Sequence, residues 1–207
     1  MYLPPLYAVT DEALIHDFIR QNEFAVIVSV DETGAPTATH LPLELRVNAR
    51  GERRLAGHFA KANPHWRALT PEKTVLVIFS GPHAYISPRW YDHPNVPTWN
   101  YMTVHAYGYA QLIEDEAEVL AHLTRMVSRY EAQPGEYKLE EQPPGVLQQM
   151  QGVVAFEIVV TRVEAKFKLS QNRHANDYAN IITQLKQRED ALSRQVAEAM
   201  QQIKGLG

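Results

Sequence analysis

The chain has 207 residues, 45% hydrophobic and 21% charged, with no cysteine and a formal net charge of -4. That mix builds one substantial core with extensions, and the missing thiols exclude disulfides, thiolate nucleophiles and cysteine-based zinc or iron-sulfur centres. The mild acidity argues against a globally basic nucleic-acid binder.

No run approaches the roughly 18 to 20 uninterrupted apolar residues that span a bilayer, and the Met1-Tyr-Leu-Pro-Pro5 start lacks the regions of a signal peptide, so a cytoplasmic protein without a membrane partner is expected. Thr10-Asp11-Glu12 opens a helix running to about Gln21, with a capping hydroxyl and acids in its first turn. Phe24 to Val30 is rich in β-branched residues and precedes Asp31-Glu-Thr-Gly34, a strand entering a hairpin turn. Pro36 to Leu45 is the return strand, and a turn at Asn48-Ala-Arg-Gly51 leads to a third strand, Arg54 to Ala60. Short turns between the three predict an antiparallel meander.

Asn63-Pro64 caps a short helix through Leu69. Thr74 to Phe79 reads as strand, Ser80-Gly-Pro82 as turn, His83 to Ser87 as strand, Ile86 to Tyr101 as a proline-stiffened aromatic loop, and Thr103 to Ile113 as strand. Glu114 to Ala132 has helical spacing; Val153 to Val163 is a long strand after a Pro/Gly-rich connection. From Tyr178 to Ile203, one long amphipathic helix carries Ile181, Ile182, Leu185, Leu192, Val196, Met200 and Ile203 on one face. About seven strands with short helices between them predict a mainly β, antiparallel barrel with peripheral helices, residues 1–173, followed by a helical extension, residues 174–207. Charge is unevenly spread, with 12 Lys and Arg against 19 Asp and Glu through Val160 and 8 against 5 from Thr161 onward. Only the tail is basic.

Three segments carry candidate chemistry. Gly57 to Trp66 places Lys61 just before the Asn63 helix start, an arrangement that suits a phosphate, or a solvated lysine beside an ordinary cap. Phe167 to Arg173 gathers two cations and three amides or hydroxyls, fit to read a polar ligand or to make a polar turn. The aromatic loop offers a wall for a planar ligand or a subunit interface. Nine histidines include no His-Glu-x-x-His, and no dedicated metal site is expected. No Gly-x-Gly-x-x-Gly, Walker loop or Gly-x-Ser-x-Gly is present, and no catalytic residue is assigned.

Together, Gly57 to Trp66, Gly81 to Tyr91, Val96 to Tyr101 and Lys166 to Asn172 resemble the PaiB-type FMN-binding negative transcriptional regulators, in order from the Met-Tyr-x-Pro start to about Arg173. The resemblance implies a split β-barrel related to pyridoxamine-phosphate oxidases, a homodimer with FMN between subunits, and repression of sporulation and protease genes in spore-forming bacteria. It further implies Lys61 and Asn63 at the phosphate. Lys168, Gln171 and Arg173 are placed at phosphate, ribityl or ring edge; Trp90, Trp99 and Tyr101 along the isoalloxazine; Ser87, Thr98 and Asn100 on its polar edge; Thr37, Thr39 and His40 along ring or ribityl. DNA is the partner of a direct repressor, although no basic helix-turn-helix follows the acidic 114–132 helix. An FMN-dependent NAD(P)H oxidoreductase is the alternative, since the cofactor performs the hydride chemistry. A haem-binding or haem-degrading barrel is the third reading, because one exposed imidazole suffices as ligand.

Overall fold

A computed structural model of the chain describes residues 1–131 and 137–204. Its elements are β1 (Ala8–Val9), α1 (Glu12–Gln21), β2 (Phe24–Val30), β3 (Pro36–Pro42), β4 (Glu44–Val47), β5 (Arg53–Ala60), β6 (Thr74–Ile86), β7 (Thr98–Ile113), α2 (Glu116–Tyr130), α3 (Pro144–Leu147), β8 (Val153–Lys168), α4 (Ala175–Lys186) and α5 (Ala191–Lys204), with short 3-10 turns between them. One eight-stranded sheet takes the order β3-β2-β6-β7-β8-β5-β4, with β1 pairing β8. The expected mainly β, antiparallel class with a helical C-terminal end is what the chain adopts. No helix among the described residues is long and apolar enough to cross a membrane.

Two compact units share the three longest strands. The first comprises Met1–Asn22, Phe79–His105 and Glu164–Gly207; the second comprises Glu23–Ile78 and Ala106–Val163. In the second, alternation along β2 buries Ala25, Ile27 and Ser29, and Phe59 stacks on Phe156 at 5.0 Å within a core holding Leu41, Leu43, Leu55 and Ile158. In the first, α1 turns Ile15, Phe18 and Ile19 inward, and Phe18 meets Phe167 at 5.0 Å. Its N-cap is Asp11, whose Oδ1 accepts from Leu14 N-H at 3.1 Å, rather than the Thr10 hydroxyl.

Two of the three predicted turns form. Asp31 Oδ1 accepts from Thr33 and Ala35 N-H while Gly34 takes φ 87°, and Gly51 takes φ 78° in the second turn. The meander does not form. The single return strand divides at Leu43 into β3, paired with β2, and β4, paired with β5, and these lie at opposite ends of the strand order. The Leu43 N-H extends the β2–β3 register by one pair, to Glu23 O at 2.9 Å, and Leu43 stays on the buried face with Leu41 before the chain passes into β4.

Ser80-Gly-Pro82 does not reverse the chain, and β6 continues through it, although the buried face shifts from Val75, Val77 and Phe79 to Ala84 and Ile86. A Cβ on Gly81 would lie 2.5 Å from the Phe18 ring, so the glycine serves a close approach and not a reversal. Thr98 to Tyr101 belong to β7, so the aromatic loop is shorter than predicted. The terminal helix is two helices. Asp190 Oδ1 accepts from Ser193 N-H at 2.7 Å and starts α5 afresh. The break shifts the helical phase, so Ser193, Val196, Ala197 and Met200 are buried while Leu192 is 41% exposed.

Candidate functional site

The predicted site residues fall into one group in each unit. In the second unit, Thr39 and His40 lie on β3, opposite Ile27 and Val26. The Asn63 Oδ1 caps the 3-10 turn Pro64–Ala68 by accepting from His65 N-H at 3.1 Å, and its Nδ2 donates to Thr39 Oγ1 at 3.2 Å. Thr39 Oγ1 also meets His65 Nδ1 at 2.8 Å, and His65 Nε2 meets the buried Ser29 hydroxyl at 2.9 Å. Thr39 and Asn63 are thereby brought together by a histidine that burial holds below its ordinary pKa. His65 and Ser29 are the residues missed from the sequence. The Ser29 pairing leaves no sequence signal because 36 positions separate the partners.

His40 is exposed and stacks loosely on Phe24 at 6.2 Å. Lys61 is exposed, its backbone N-H donating to Gly152 O at 2.7 Å and its carbonyl accepting from Trp66 Nε1 at 3.1 Å. Its ammonium therefore projects from a fixed backbone.

In the first unit, β8 ends in Lys166-Phe-Lys168 and enters a turn in which Ser170 takes φ 64°. Gln171 Oε1 accepts from Leu169 N-H at 2.7 Å and its Nε2 donates to Phe167 O, so this amide holds the turn closed. Ser170 donates to Asn100 Oδ1 at 3.0 Å; Asn100 is fully buried, its Nδ2 set against Met200 Sδ at 3.5 Å. Lys168 Nζ donates to Thr98 Oγ1. Its pKa is lowered by burial, then by the charges of Lys166 and Arg173. Lys166 Nζ donates to Tyr2 O at 3.0 Å and stands 5.4 Å from the Tyr101 ring centre; Arg173 stacks over Tyr91 at 4.5 Å.

The remaining predicted residues sit nearby in sequence and in this same unit. Ser87 caps the Pro88–Trp90 turn by accepting from Arg89 N-H at 3.3 Å. Trp90 lies under Arg188 at 4.9 Å and, with Ser87, Asn180 and Gln184, lines a polar cavity of about 860 Å³. Trp99 is 52% exposed and packs edge-on to Tyr85 at 6.0 Å. A second cavity of about 600 Å³, in the second unit, is apolar and lined by residues such as Leu123, Met126 and Tyr130.

These groups fit a flavin mononucleotide chemically. Burial and the charges of Lys166 and Arg173 lower the Lys168 pKa, so cations gather around Lys168 as a phosphate or an electron-rich ring edge requires. Exposed indole and phenol rings next to it offer flat apolar surface.

Residues 1–162 match the family described as "Putative FMN-binding domain". The chain is 42% identical, over 97% of both chains, to the protease synthase and sporulation protein PAI 2 of Bacillus subtilis. Among solved structures, it superposes on the FAD and heme binding protein from Mycobacterium smegmatis with a TM-score of 0.61 at 17% identity, covering 84% of this chain and 78% of that one. It superposes on the flavocytochrome Anf3 from Azotobacter vinelandii with a TM-score of 0.60 at 19% identity, covering 84% and 75%. At those identities the likeness establishes a shared fold. A family match across more than three quarters of its length and a relative aligned end to end place this chain in the PaiB-type FMN-binding family, with FMN as its cofactor.

Proposed function

We propose that the protein is an FMN-binding homodimer that acts as a negative regulator of transcription in the manner implied for the PaiB-type family. The observation that carries the flavin part is the gathering of cations at the end of β8, where Lys168 is held on Thr98 within reach of the charges of Lys166 and Arg173. In this reading Lys168 and Thr98 bind the cofactor's anionic or carbonyl groups. Asn100 and Gln171, whose polar atoms are engaged by the protein, fix the turn that presents Lys168. Bound FMN supplies a two-electron redox centre. The printed name of the Bacillus relative supports a role around protease and sporulation control.

Exposed Tyr85, Val96 and Trp99 in the first unit support association of two copies, because clustered exposed aromatic and aliphatic side chains mark interfaces. Direct DNA contact has only the mildly basic tail behind it. Calorimetric titration with FMN tests the core of the proposal. Wild-type protein is expected to bind one FMN per chain, with Lys168→Ala weakening binding roughly tenfold or more, the scale of one lost charge-assisted bond. Lys61→Ala, measured in parallel, reports whether the second unit's lysine carries the phosphate. A protein that ignores FMN, or whose affinity survives both substitutions, overturns the site. Mobility-shift assays on promoter DNA at physiological salt, with and without FMN, decide whether repression is direct.

A further inference from the structure

Two short stretches of the first unit meet beside Arg173, which stacks over Tyr91. Tyr91-Asp92-His93 follows the Pro88–Trp90 turn, and His174 to Asp177 opens α4. Asp92, His93, His174 and Asp177 each present one ligating atom, and these four atoms lie within 4.8 Å of one another. His93 Nδ1 is 2.9 Å from Asp92 Oδ1 and 3.6 Å from Asp177 Oδ2. His174 Nε2 is 3.4 Å and 3.3 Å from the same two oxygens. A tetrahedral ion with bonds of about 2.1 Å separates its ligands by about 3.4 Å, so none of these four edges departs from that geometry by more than about half an ångström.

Asp177 supplies an independent observation. Its side chain is fully buried, and Oδ2 has no hydrogen-bond donor although it faces both imidazoles. Its other oxygen accepts from the Asp92 N-H at 2.9 Å, which aims the carboxylate into the cluster. A buried carboxylate oxygen without a donor is unfavourable unless a cation completes it. The side chains of Asp92, His93 and His174 are 47%, 42% and 51% exposed, leaving an open approach for an ion.

We infer that these four residues bind one divalent transition-metal ion of the zinc class. Two imidazoles and two carboxylates match that class in ligand type, and the two negative charges balance the dication. Calcium and magnesium are poorly served, since they take six or more oxygens. Metal at the inner nitrogens leaves each imidazole proton on the outer one. His93 Nε2 meets Asn95 Nδ2 at 2.9 Å, so Asn95 turns its oxygen inward and gives up its 2.8 Å bond from Val96 N-H. The contact from Asp177 N-H to His174 Nδ1 is long at 3.5 Å and little is lost there. The ion ties the proline-bearing 91–97 segment to the first turn of α4. The ligands come as an adjacent pair and an i, i+3 pair far apart in the chain, which is why no metal motif is visible in the sequence.

Titrating tag-free, chelator-stripped and dialysed protein with zinc chloride tests the site. One zinc per chain is expected, with Asp177→Asn and His174→Ala each weakening binding roughly tenfold or more and His58→Ala leaving it unchanged. Cobalt(II) is expected to give the intense visible absorption of a four-coordinate site, lost in the same variants. Should circular dichroism reveal that Asp177→Asn does not fold, the exposed Asp92→Asn and His93→Ala carry the same test. No stoichiometric uptake, or uptake that survives these substitutions, overturns the inference.

Discussion

His122 is fully buried in the second unit, with Arg46 at 3.3 Å from its Nδ1 and His58 Nδ1 at 3.3 Å from its Nε2. Burial, followed by the charges of His58 and Arg46, pushes its pKa down to about 4. An unfolded chain takes up that proton near pH 6.5. Between those values the unfolded state binds a proton that the folded state refuses, so the stability contributed is present above about pH 6.5 and is lost as pH falls toward 4. His58, His65 and His105 are lowered in the same direction, each chiefly by burial. The melting temperature is expected to drop between pH 7 and pH 4.5, and His122→Gln to drop less; equal drops would exclude His122 as a cause. Gly108 makes a different demand. A Cβ there would lie 2.1 Å from Val159 O, a backbone atom that cannot swing away. Gly108→Ala is expected to cost about 1–3 kcal/mol or more in urea unfolding, whereas the same change at Gly145, where nothing lies within 4 Å, is expected to be mild. At this scale the sequence was informative about polar residues acting locally. Asn63 caps the turn it was expected to cap, and Lys168 sits in a dense polar turn. Asn100 was opaque, because its burial depends on Ser170 and Met200, 70 and 100 positions away.

Among the elements, strands with β-branched runs and turns with Asp-x-x-Gly or Asn-x-x-Gly were readable, since their causes are local. One misreading took a proline and a glycine as punctuation when their role is tertiary. Gly81-Pro82 lies within a continuous strand, where Phe18 occupies the space a side chain on residue 81 would fill. The split of the last helix escaped notice because apolar residues continue across it, although Asp190 is an ordinary cap. The two resulting helices are joined by a buried hydrogen bond from the Tyr178 hydroxyl to Met200 O at 2.7 Å. Tyr178→Phe keeps the ring and leaves that carbonyl without its donor, so a loss of about 1–3 kcal/mol is expected, read as a lower urea midpoint at unchanged slope. A changed slope would indicate that the helix pair no longer unfolds with the rest.

For the molecule as a whole, ligand linkage provides the broadest test. FMN at about 100 times its dissociation constant stabilises a protein by about 2.7 kcal/mol if only the folded state binds it. Thermal melts with and without FMN are expected to separate for the wild type and, at a tenfold weaker affinity, by only about half as much for Lys168→Ala; an unshifted wild-type melt argues against tight cofactor binding. Class and family were legible because they rest on summed local signals and ordered motifs, whereas about seven strands were expected and eight form, with β1 missed, one strand divided into β3 and β4 and two joined in β6. Strand order was not legible, since it is decided by partners distant in sequence. Strand β5, complete at Ala60, pairs with β8, which begins at Val153. During synthesis one flank of β5 therefore emerges long before its mate exists, a sticky ribbon that chaperones or other nascent chains can capture. Fragments ending before Val153 should accumulate in inclusion bodies, and supplying the missing C-terminal piece in trans should rescue part of them.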